Sequence, residues 1–198
     1  MEIRFQRLDP SSFNAQSLDG FEWRQTVRAC WRKQNGAWRL IPLAYEEDWD
    51  LAMRRAIAAN IVRQMAAELS AFGAFQDDRL VGFITVSHAL FGRSARYAQL
   101  SCFQVSAPFR RQGVGRQLFA LAAQEARALG ADKLYISACS AVETLSAYRA
   151  LGCTMASEIN VCLATEEPCD VPLEYQLGGG KDVRKAFERA IWAASAQY

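Results

Sequence analysis

Three arginines and two glycines fall within seven residues, between an extended apolar run and a helical pattern. The segment runs from Arg110 to Arg116. The first turn of a helix usually carries Asp or Glu because the N-terminal end of the helix dipole is positive, yet the next acidic residue here is Glu125. Gly113 and Gly115 allow the backbone to approach a ligand closely and to point unpaired N–H groups at one place. The chemistry predicted for this segment is binding of an anion, such as a polyphosphate.

The same seven residues do not fit two common phosphate-binding motifs. A Walker loop requires Lys followed by Ser or Thr after its last glycine, whereas this chain has Arg116 and Gln117. A dinucleotide fingerprint requires a third glycine at the position of Leu118. The remaining alternative without a ligand is a glycine-rich helix start whose arginines are solvated.

Length and composition narrow the classes of protein. The 198 residues, of which 51% are hydrophobic, suffice for one sizeable core with an appendage. The 23 basic and 21 acidic residues are mixed along the chain, so we expect no nucleic-acid partner. No long apolar run and no apolar N-terminal signal region occur, which predicts a cytoplasmic protein without a membrane partner.

The cysteines and the single histidine give little support to a metal site. No CxxC pair is present, and most of the thiols lie in apolar segments, which favours buried reduced thiols. One histidine, His88, leaves a metal with few nitrogen ligands. No metal is therefore predicted. The six cysteines are Cys30, Cys102, Cys139, Cys153, Cys162 and Cys169.

Hydrophobic periodicity predicts strands before helices in the N-terminal part. The predicted elements are a strand at 3–7, a loop at 9–20, a hairpin of 30–34 and 37–41 around Asn35-Gly36, and a helix from about 49 to 69 that ends before Gly73 and has Glu46, Glu47 and Asp48 as its acidic entry. A second hairpin follows, with 74–76 and 80–87 around Asp77-Asp78.

The C-terminal part alternates strands and helices. The predicted elements are a strand at 97–105, a helix that ends at Gly130, a strand at 134–138, a helix at 142–151 closed by Gly152, and strands at 155–159 and 173–177. This order implies a mixed α/β sheet with helices on its faces. After a hinge at 178–180, an amphipathic helix with Val183, Phe187, Ala190, Ile191 and Ala194 docks on its own sheet or on a second subunit, which would make a homodimer.

Two motifs carry a resemblance to a known family. The segment 105–119 resembles the pyrophosphate loop of the GNAT superfamily of N-acetyltransferases, in which Arg110, Gly113 and Gly115 fill the three pattern positions. The strand 134–139, followed by a helix that bears Tyr148 and ends in Leu-Gly, resembles the family's second element. The resemblance covers residues 71–177, and the closing stretch 167–174 is similar to that of members related to streptothricin acetyltransferases.

The resemblance implies a fold, a domain organisation and an activity. The fold would be α/β, with a mixed, mostly antiparallel central sheet, helices on both faces and an added C-terminal amphipathic helix. Residues 1–177 would form one acetyltransferase domain with its core motifs at 71–177, followed by the hinge and helix at 178–198. The activity would be transfer of acetyl from the cosubstrate acetyl-CoA to a primary amine of a small molecule, by direct attack in a ternary complex.

The resemblance also assigns roles to particular residues. Backbone groups of Phe103 and Val105, on a strand that separates from its parallel neighbour, would bond the pantetheine arm and the thioester. Tyr148 would protonate the leaving thiolate as general acid; the alternative is a half-buried aromatic residue that packs on the sheet. Many members have asparagine where this chain has Ala141, so Ser140 or Thr144 would take over its contact with pantetheine. The pyrophosphate would be held by Arg110, Arg111, Gln112, Gly113, Val114, Gly115 and Arg116.

A base is needed because the attacking amine must be neutral, and a lysine-like amine is only about one part in a thousand neutral near pH 7.4. The candidates are Glu174, Asp170, Glu46, Glu47 and His88, and each also has a purely structural interpretation. The N-terminal third combines aromatic with acidic residues, which suits a cationic amine, although the same residues could be hairpin pairs and a helix cap. They are Trp23, Trp31, Trp38, Tyr45, Trp49, Glu46, Glu47, Asp48 and Asp50.

Two other functions stay open on the same fold. One is a non-catalytic sensor or interaction module that binds acyl-CoA. The other is an N-acetyltransferase acting on a protein or peptide, which would need an open groove for its substrate.

Overall fold

The computed structural model describes residues 2–65 and 67–178. The predicted terminal helix lies outside them. The elements are β1 Ile3–Arg7, β2 Arg24–Gln34, β3 Ala37–Asp48, α1 Leu51–Met65, β4 Leu69–Gln76, β5 Arg79–Phe91, β6 Tyr97–Val105, a 3-10 turn Ala107–Phe109, α2 Val114–Ala128, β7 Lys133–Ala138, α3 Val142–Ala150, β8 Thr154–Met155, α4 Val161–Glu166 and β9 Val171–Gln176. A seven-stranded sheet has the order β1-β4-β5-β6-β7-β9-β8, and β2 and β3 form a separate hairpin.

The β2–β3 hairpin is longer than its sequence pattern predicts. Its turn at Asn35-Gly36 is confirmed, but β3 continues to Asp48, which pairs with Arg24. The prediction that Glu46 and Glu47 enter the helix is therefore wrong, because the partner strand β2 extends the ladder that far. The residue that caps α1 is Asp50, whose Oδ1 accepts the Met53 N–H at 2.7 Å.

Two boundaries further along the chain also differ from the predictions. Helix α1 ends at Met65, and the predicted helical residue Leu69 instead begins β4, where it is buried. The strand predicted at 155–159 is only Thr154–Met155, and helix α4 follows it. Asn160 caps α4 by accepting the N–H groups of Cys162 and Leu163, and this short, exposed helix has too little apolar periodicity to be detected in the sequence.

Residues of the central strands alternate between two hydrophobic clusters, one on each face of the sheet. Ala71 and Phe83 pack with Ile61 of α1 on one face. Phe72 and Ile84 belong to the cluster on the other face, together with the buried side of α2. Helices on both faces of the sheet were predicted, and the structure confirms them.

Strands β6 and β7 are the parallel pair of the otherwise antiparallel sheet in the described part of the chain, and they separate before they end. Their pairing stops at Gln99 and Tyr135, although β6 continues to Val105 and β7 to Ala138. A wedge therefore opens between the carboxyl ends of the two strands. This is the separation that the sequence motifs imply, and it exposes strand edges beside the loop that leads into α2.

Candidate active site

The loop between β6 and α2 owes its shape to two residues with left-handed backbone. Arg111 has a φ of 62° and Gly113 a φ of 87°, and Gly113 is the residue at which α2 is capped. A Cβ on Gly113 would meet nothing within 4 Å, so the space in front of the helix is open. A Cβ on Gly115 would lie 3.2 Å from Cζ of Phe103, which shows how closely α2 packs on β6.

The backbone of this loop presents a row of hydrogen-bond donors. Within the described chain, no acceptor bonds the N–H groups of the six residues 111–116, and no side chain caps the helix. A helix N-terminus with such donors attracts an anion through both the N–H groups and the helix dipole. The arrangement therefore fits a phosphate or pyrophosphate group, as the spacing of the glycines predicts.

The predicted phosphate-binding side chains differ in how free they are. Arg110 is engaged within the protein, since its Nε donates to the Val105 carbonyl at 2.9 Å and its Nη1 to the Arg24 carbonyl at 2.7 Å. The side-chain amide of Gln112 donates to the Pro108 carbonyl at 2.7 Å. Arg111 and Arg116 are exposed and contact no acidic group among the described residues. These two guanidinium groups are the ones available to an external anion.

Tyr148 lies on α3, beside the wedge. Its ring centroid is 6.1 Å from that of Phe103, a residue of β6. Its hydroxyl forms no hydrogen bond with any residue that the structure describes. Burial raises the pKa of the phenol above its ordinary value, and the neighbouring groups Cys153, Cys102 and Asp170 raise it further. The hydroxyl therefore stays protonated at physiological pH.

The start of α3 is in contact with the β2–β3 hairpin. The Ser140 carbonyl accepts the Trp31 N–H at 2.8 Å, and Ala141 forms a β-bridge with Cys30. Ser140 Oγ accepts a hydrogen bond from Arg32, and Thr144 Oγ1 accepts one from Gln25 at 3.1 Å. These two hydroxyls, which are predicted to hold pantetheine, therefore also bond the hairpin. Each keeps its own proton for a further acceptor.

Two of the candidate bases are bound into networks of their own. Glu174 accepts from Lys133 at 2.8 Å, Tyr97 at 2.8 Å and the Ser157 N–H at 3.0 Å. Burial by itself would raise the pKa of Glu174, but these hydrogen bonds hold it below its ordinary value. His88 contacts Ser70 Oγ at 2.9 Å and the Ala67 carbonyl at 3.1 Å. Neither side chain is free to take a proton from an amine.

The other acidic candidates lie on two sides of Cys139. Glu47 shares its face of β3 with Tyr45, which packs with Cys139 and Cys30, whereas Glu46 is exposed and contacts Thr26. The charges of Glu47 and Asp170 both raise the pKa of Cys139, after burial as the main cause. Glu47 and Asp170 are therefore the two candidate carboxylates near the mouth of the wedge.

The aromatic residues of the N-terminal third have mainly structural contacts. Trp23 and Trp49 stack with ring centroids 4.6 Å apart, and the Trp23 indole N–H donates to Gln104 of β6. Trp31 is buried and Trp38 is partly buried against the same core. Two of them approach the site: Tyr45 through Cys30 and Cys139, and Trp31 through its backbone N–H to Ser140. This agrees with hairpin pairing for most of these residues.

Sequence reasoning assigned no role to several residues that line the site. Cys139, which follows β7, packs with Cys30 of β2, and Arg32 reaches Ser140 from the hairpin. No local motif marks them, since they meet only when residues about a hundred positions apart are packed together. The one available signal is that Cys139 directly follows a predicted buried strand.

The described residues show neither a metal site nor a membrane span. No group of three or more His, Cys, Asp or Glu side chains within 2–65 and 67–178 is arranged to hold a metal ion. In the same part of the chain, no helix is both long and apolar enough to cross a bilayer.

Comparison with known sequences identifies a family for this architecture. The model of the Acetyltransferase (GNAT) family matches residues 23–152, which is most of the chain and includes the loop, α2 and Tyr148. No curated protein sequence matches the chain.

Solved structures share the fold over nearly the whole chain. A nourseothricin acetyltransferase is 20% identical with a TM-score of 0.66, covering 90% of this chain and 100% of that one. A protein assigned as a streptothricin acetyltransferase from Bacillus anthracis str. Ames, in complex with acetyl coenzyme A, is 16% identical with a TM-score of 0.63 and coverages of 91% and 100%. AtaT, complexed with acetyl-methionyl-tRNAfMet, is 14% identical with a TM-score of 0.57 and coverages of 88% and 95%. At these identities the likeness concerns the fold alone.

Proposed function

The chain belongs to the Acetyltransferase (GNAT) family, and from this premise we propose that it transfers the acetyl group of acetyl-CoA to a primary amine of a small molecule. Members of this family are acetyltransferases, so the enzyme class follows from the family. The proposal concerns the donor, the acceptor and the residues that carry out the transfer.

The observation that carries the proposal is the row of unpaired N–H groups at residues 111–116, beside the open wedge. Acetyl-CoA combines a pyrophosphate with a long amide-containing arm. The loop supplies donors and two free guanidinium groups for the first, and the separated edges of β6 and β7 offer backbone groups for the second. We assign the pyrophosphate to residues 110–116 and the arm to Phe103, Val105, Ser140 and Thr144.

Tyr148 is the proposed general acid. When the amine nitrogen attacks the thioester carbonyl, a C–N bond forms, the C–S bond breaks, and the thiolate leaves with the electron pair. The Tyr148 hydroxyl has no hydrogen-bond partner among the described residues, so its proton is available to the thiolate as it forms. Its position against Phe103 supports a role next to the thioester.

The hairpin supports a small acceptor. Hydrogen bonds from β2 to Ser140 and Thr144 hold the hairpin against the end of β7 and the start of α3, which walls this side of the wedge. An extended peptide would need that side open. Since two proteins of similar fold are named for nourseothricin and streptothricin, these antibiotics are the first acceptors to try.

The remaining assignments belong to the same proposal. We assign residues 1–177 to one domain, because Leu8, Phe13 and Trp23 share a core cluster with Phe83 of the central sheet. The enzyme works in the cytoplasm as a monomer or a homodimer, without a nucleic-acid or membrane partner.

The test is release of coenzyme A thiol from acetyl-CoA across streptothricin, nourseothricin, aminoglycosides, polyamines, amino acids and short peptides. Acceptor-dependent release with a small amine, lowered about 10²- to 10⁴-fold in Tyr148→Phe at unchanged acetyl-CoA affinity, supports the proposal. Tyr175→Phe is the matched control, because Tyr175 is also partly buried and its hydroxyl also has no hydrogen bond to a described residue.

Two outcomes would overturn the proposal. Acetyl-CoA binding without release on any acceptor would indicate the sensor function. Release that requires a peptide or a charged tRNA would assign the enzyme to macromolecular substrates.

A further inference from the structure

Asp170 occupies a specific place at the mouth of the wedge. The residue directly precedes β9, and the antiparallel register pairs Val171 with Ala138. Asp170 therefore lies opposite Cys139, at the carboxyl end of β7, where β6 has already separated. Helix α3, which bears Tyr148, begins three residues after Cys139. Backbone topology alone thus brings Asp170 to the same end of the sheet as the proposed general acid.

The surroundings of Asp170 set its charge. Burial raises the pKa of this carboxyl, as does the neighbouring Glu167, while a hydrogen bond from Ser137 and the charge of Arg32 oppose the rise. The field of Asp170 in turn raises the pKa of both Tyr148 and Cys139. The other described carboxyl groups with a shifted pKa all have it lowered: Asp9, Asp19, Glu125, Asp132, Glu158 and Glu174. A base for an amine near neutral pH needs a raised value.

We propose that Asp170 binds the ammonium group of the acceptor and takes the proton that must leave before the amine attacks. The inference rests on the proposed function and deepens it, since it names the base and requires a cationic acceptor. Glu47 contributes to the same negative field from the hairpin side of Cys139. An amine that bears a further positive charge is accordingly the favoured substrate class, and one that bears a phosphate is disfavoured.

The proton balance closes with the two assigned residues. The ammonium group gives one proton to the Asp170 carboxylate, and the neutral amine attacks the thioester carbon. The departing thiolate takes the Tyr148 proton, and the phenolate recovers a proton from the nitrogen as the amide forms. Asp170 then releases its proton to solvent. The sum is one acetylated amine, one coenzyme A thiol and one proton.

Asp170 is preferred over the other carboxylates because of what surrounds each of them. Glu174 is held by Lys133 and Tyr97, and Glu46 faces away from the cleft. Glu47 is on the correct face of β3, but the charge that acts on Tyr148 is that of Asp170. The acceptor nitrogen must reach both the base and the thioester. The carboxylate whose charge acts on Tyr148 is therefore the one suited to accept the proton.

The test compares Asp170→Asn with Glu166→Gln, an exposed carboxylate at the end of α4, in the full chain. We expect Asp170→Asn to lower kcat/KM for the amine by about 10²-fold or more at neutral pH, with acetyl-CoA affinity and melting temperature kept. The loss should narrow as pH rises toward the pKa of the amine, because solvent then deprotonates the acceptor. In Asp170→Asn the acidic limb of the kcat/KM profile should move up to the pKa of the amine, whereas it should keep a carboxylate limb in Asp170→Glu and the wild-type position in Glu166→Gln.

The inference would be overturned by a wild-type acidic limb in Asp170→Asn, or by a loss of activity that is equal at every pH. Should Asp170→Asn fail to fold, the comparison of Asp170→Glu with wild type decides, since a longer carboxylate must still give an acidic limb at a reduced rate. Failure of the proposed function looks different. In that case the wild type releases no coenzyme A with any small amine, whereas failure of this inference alone leaves turnover intact and still dependent on Tyr148.

Discussion

The Nη1 atom of Arg110 donates a hydrogen bond to the backbone carbonyl oxygen of Arg24, 2.7 Å away, and so fastens the loop before α2 to the β2–β3 hairpin. The Nε of the same side chain donates to the Val105 carbonyl. Burial lowers the pKa of this guanidinium, and the charge of Arg24 lowers it further. Arg110 thus joins the proposed acetyl-CoA side of the molecule to the hairpin that walls the acceptor side.

The first prediction separates this tether from the free arginines. Arg110→Ala should lower the free energy of unfolding by about 1–3 kcal/mol, because two hydrogen bonds from a charged group to backbone carbonyls are lost. Arg111→Ala should leave stability unchanged and weaken acetyl-CoA binding, since its exposed guanidinium has no acidic partner among the described residues. Thermal melts and calorimetric titration with acetyl-CoA measure the two effects. Equal loss of stability in both variants would contradict the assignment.

The second prediction concerns the left-handed backbone at Gly113. Gly113→Ala should cost about 1–2 kcal/mol of stability, because its φ of 87° is strained for any residue with a Cβ even though the space is open. Gly115→Ala acts by a different route, since its Cβ would approach the Phe103 ring at 3.2 Å. We expect it to shift Phe103 and to raise KM for acetyl-CoA. A Gly113→Ala variant with wild-type melting temperature would argue against the loop geometry.

The third prediction uses the contact of Glu125 with β1 and β4. The Glu125 carboxylate accepts a hydrogen bond from Arg7 at 3.0 Å and another from the Ser70 hydroxyl at 2.5 Å. Burial alone would raise the pKa of Glu125, but these hydrogen bonds hold it below its ordinary value. A lowered pKa in the folded state means that the contribution of Glu125 to stability is complete above the unfolded value, about 4.3, and is lost as pH falls through the folded value.

Glu125→Gln should therefore be less stable than wild type at neutral pH, and the difference should shrink as the solution is acidified below the unfolded pKa of about 4.3. Urea unfolding at a series of pH values measures it. Glu68→Gln serves as the control, because Glu68 is an exposed glutamate next to the same strand. A difference that widens on acidification would show that the sign of the shift is wrong.

The fourth prediction tests whether Thr144 both bonds the hairpin and holds the pantetheine arm. Gln25→Ala and Thr144→Val each remove the 3.1 Å contact between hairpin and α3, so a double-mutant cycle should give a coupling energy of about 0.5–1.5 kcal/mol. Only Thr144→Val should also weaken acetyl-CoA binding if its hydroxyl holds the pantetheine arm. Identical acetyl-CoA affinities in the two single variants would assign Thr144 to the hairpin alone.

Much of the acetyl-CoA side could be predicted from the sequence because its features are local. Arg110, Gly113 and Gly115 lie within six residues, and the backbone freedom of glycine at a helix start is a property of the segment itself. Strands β1 and β6 have the predicted limits because the residues that favour a strand form one continuous run in each of them. Tyr148 was placed on a helix by the same kind of short-range periodicity.

The acceptor side was decided by the tertiary structure. Glu46 and Glu47 belong to strand β3 rather than to helix α1, because pairing with residues 24–26 of β2 extends β3 that far. Asp170 lies opposite Cys139 because of the register between β7 and β9, two strands that are more than thirty residues apart in sequence.

The residues of a short segment indicate whether it forms a helix or a strand, but they do not indicate which distant strand it will pair with. Local sequence therefore specifies the glycine-rich loop before α2, most of the element types around it and the family. Long-range packing placed Asp170 beside the carboxyl end of β7 and engaged Arg110 with the backbone carbonyls of Val105 and Arg24.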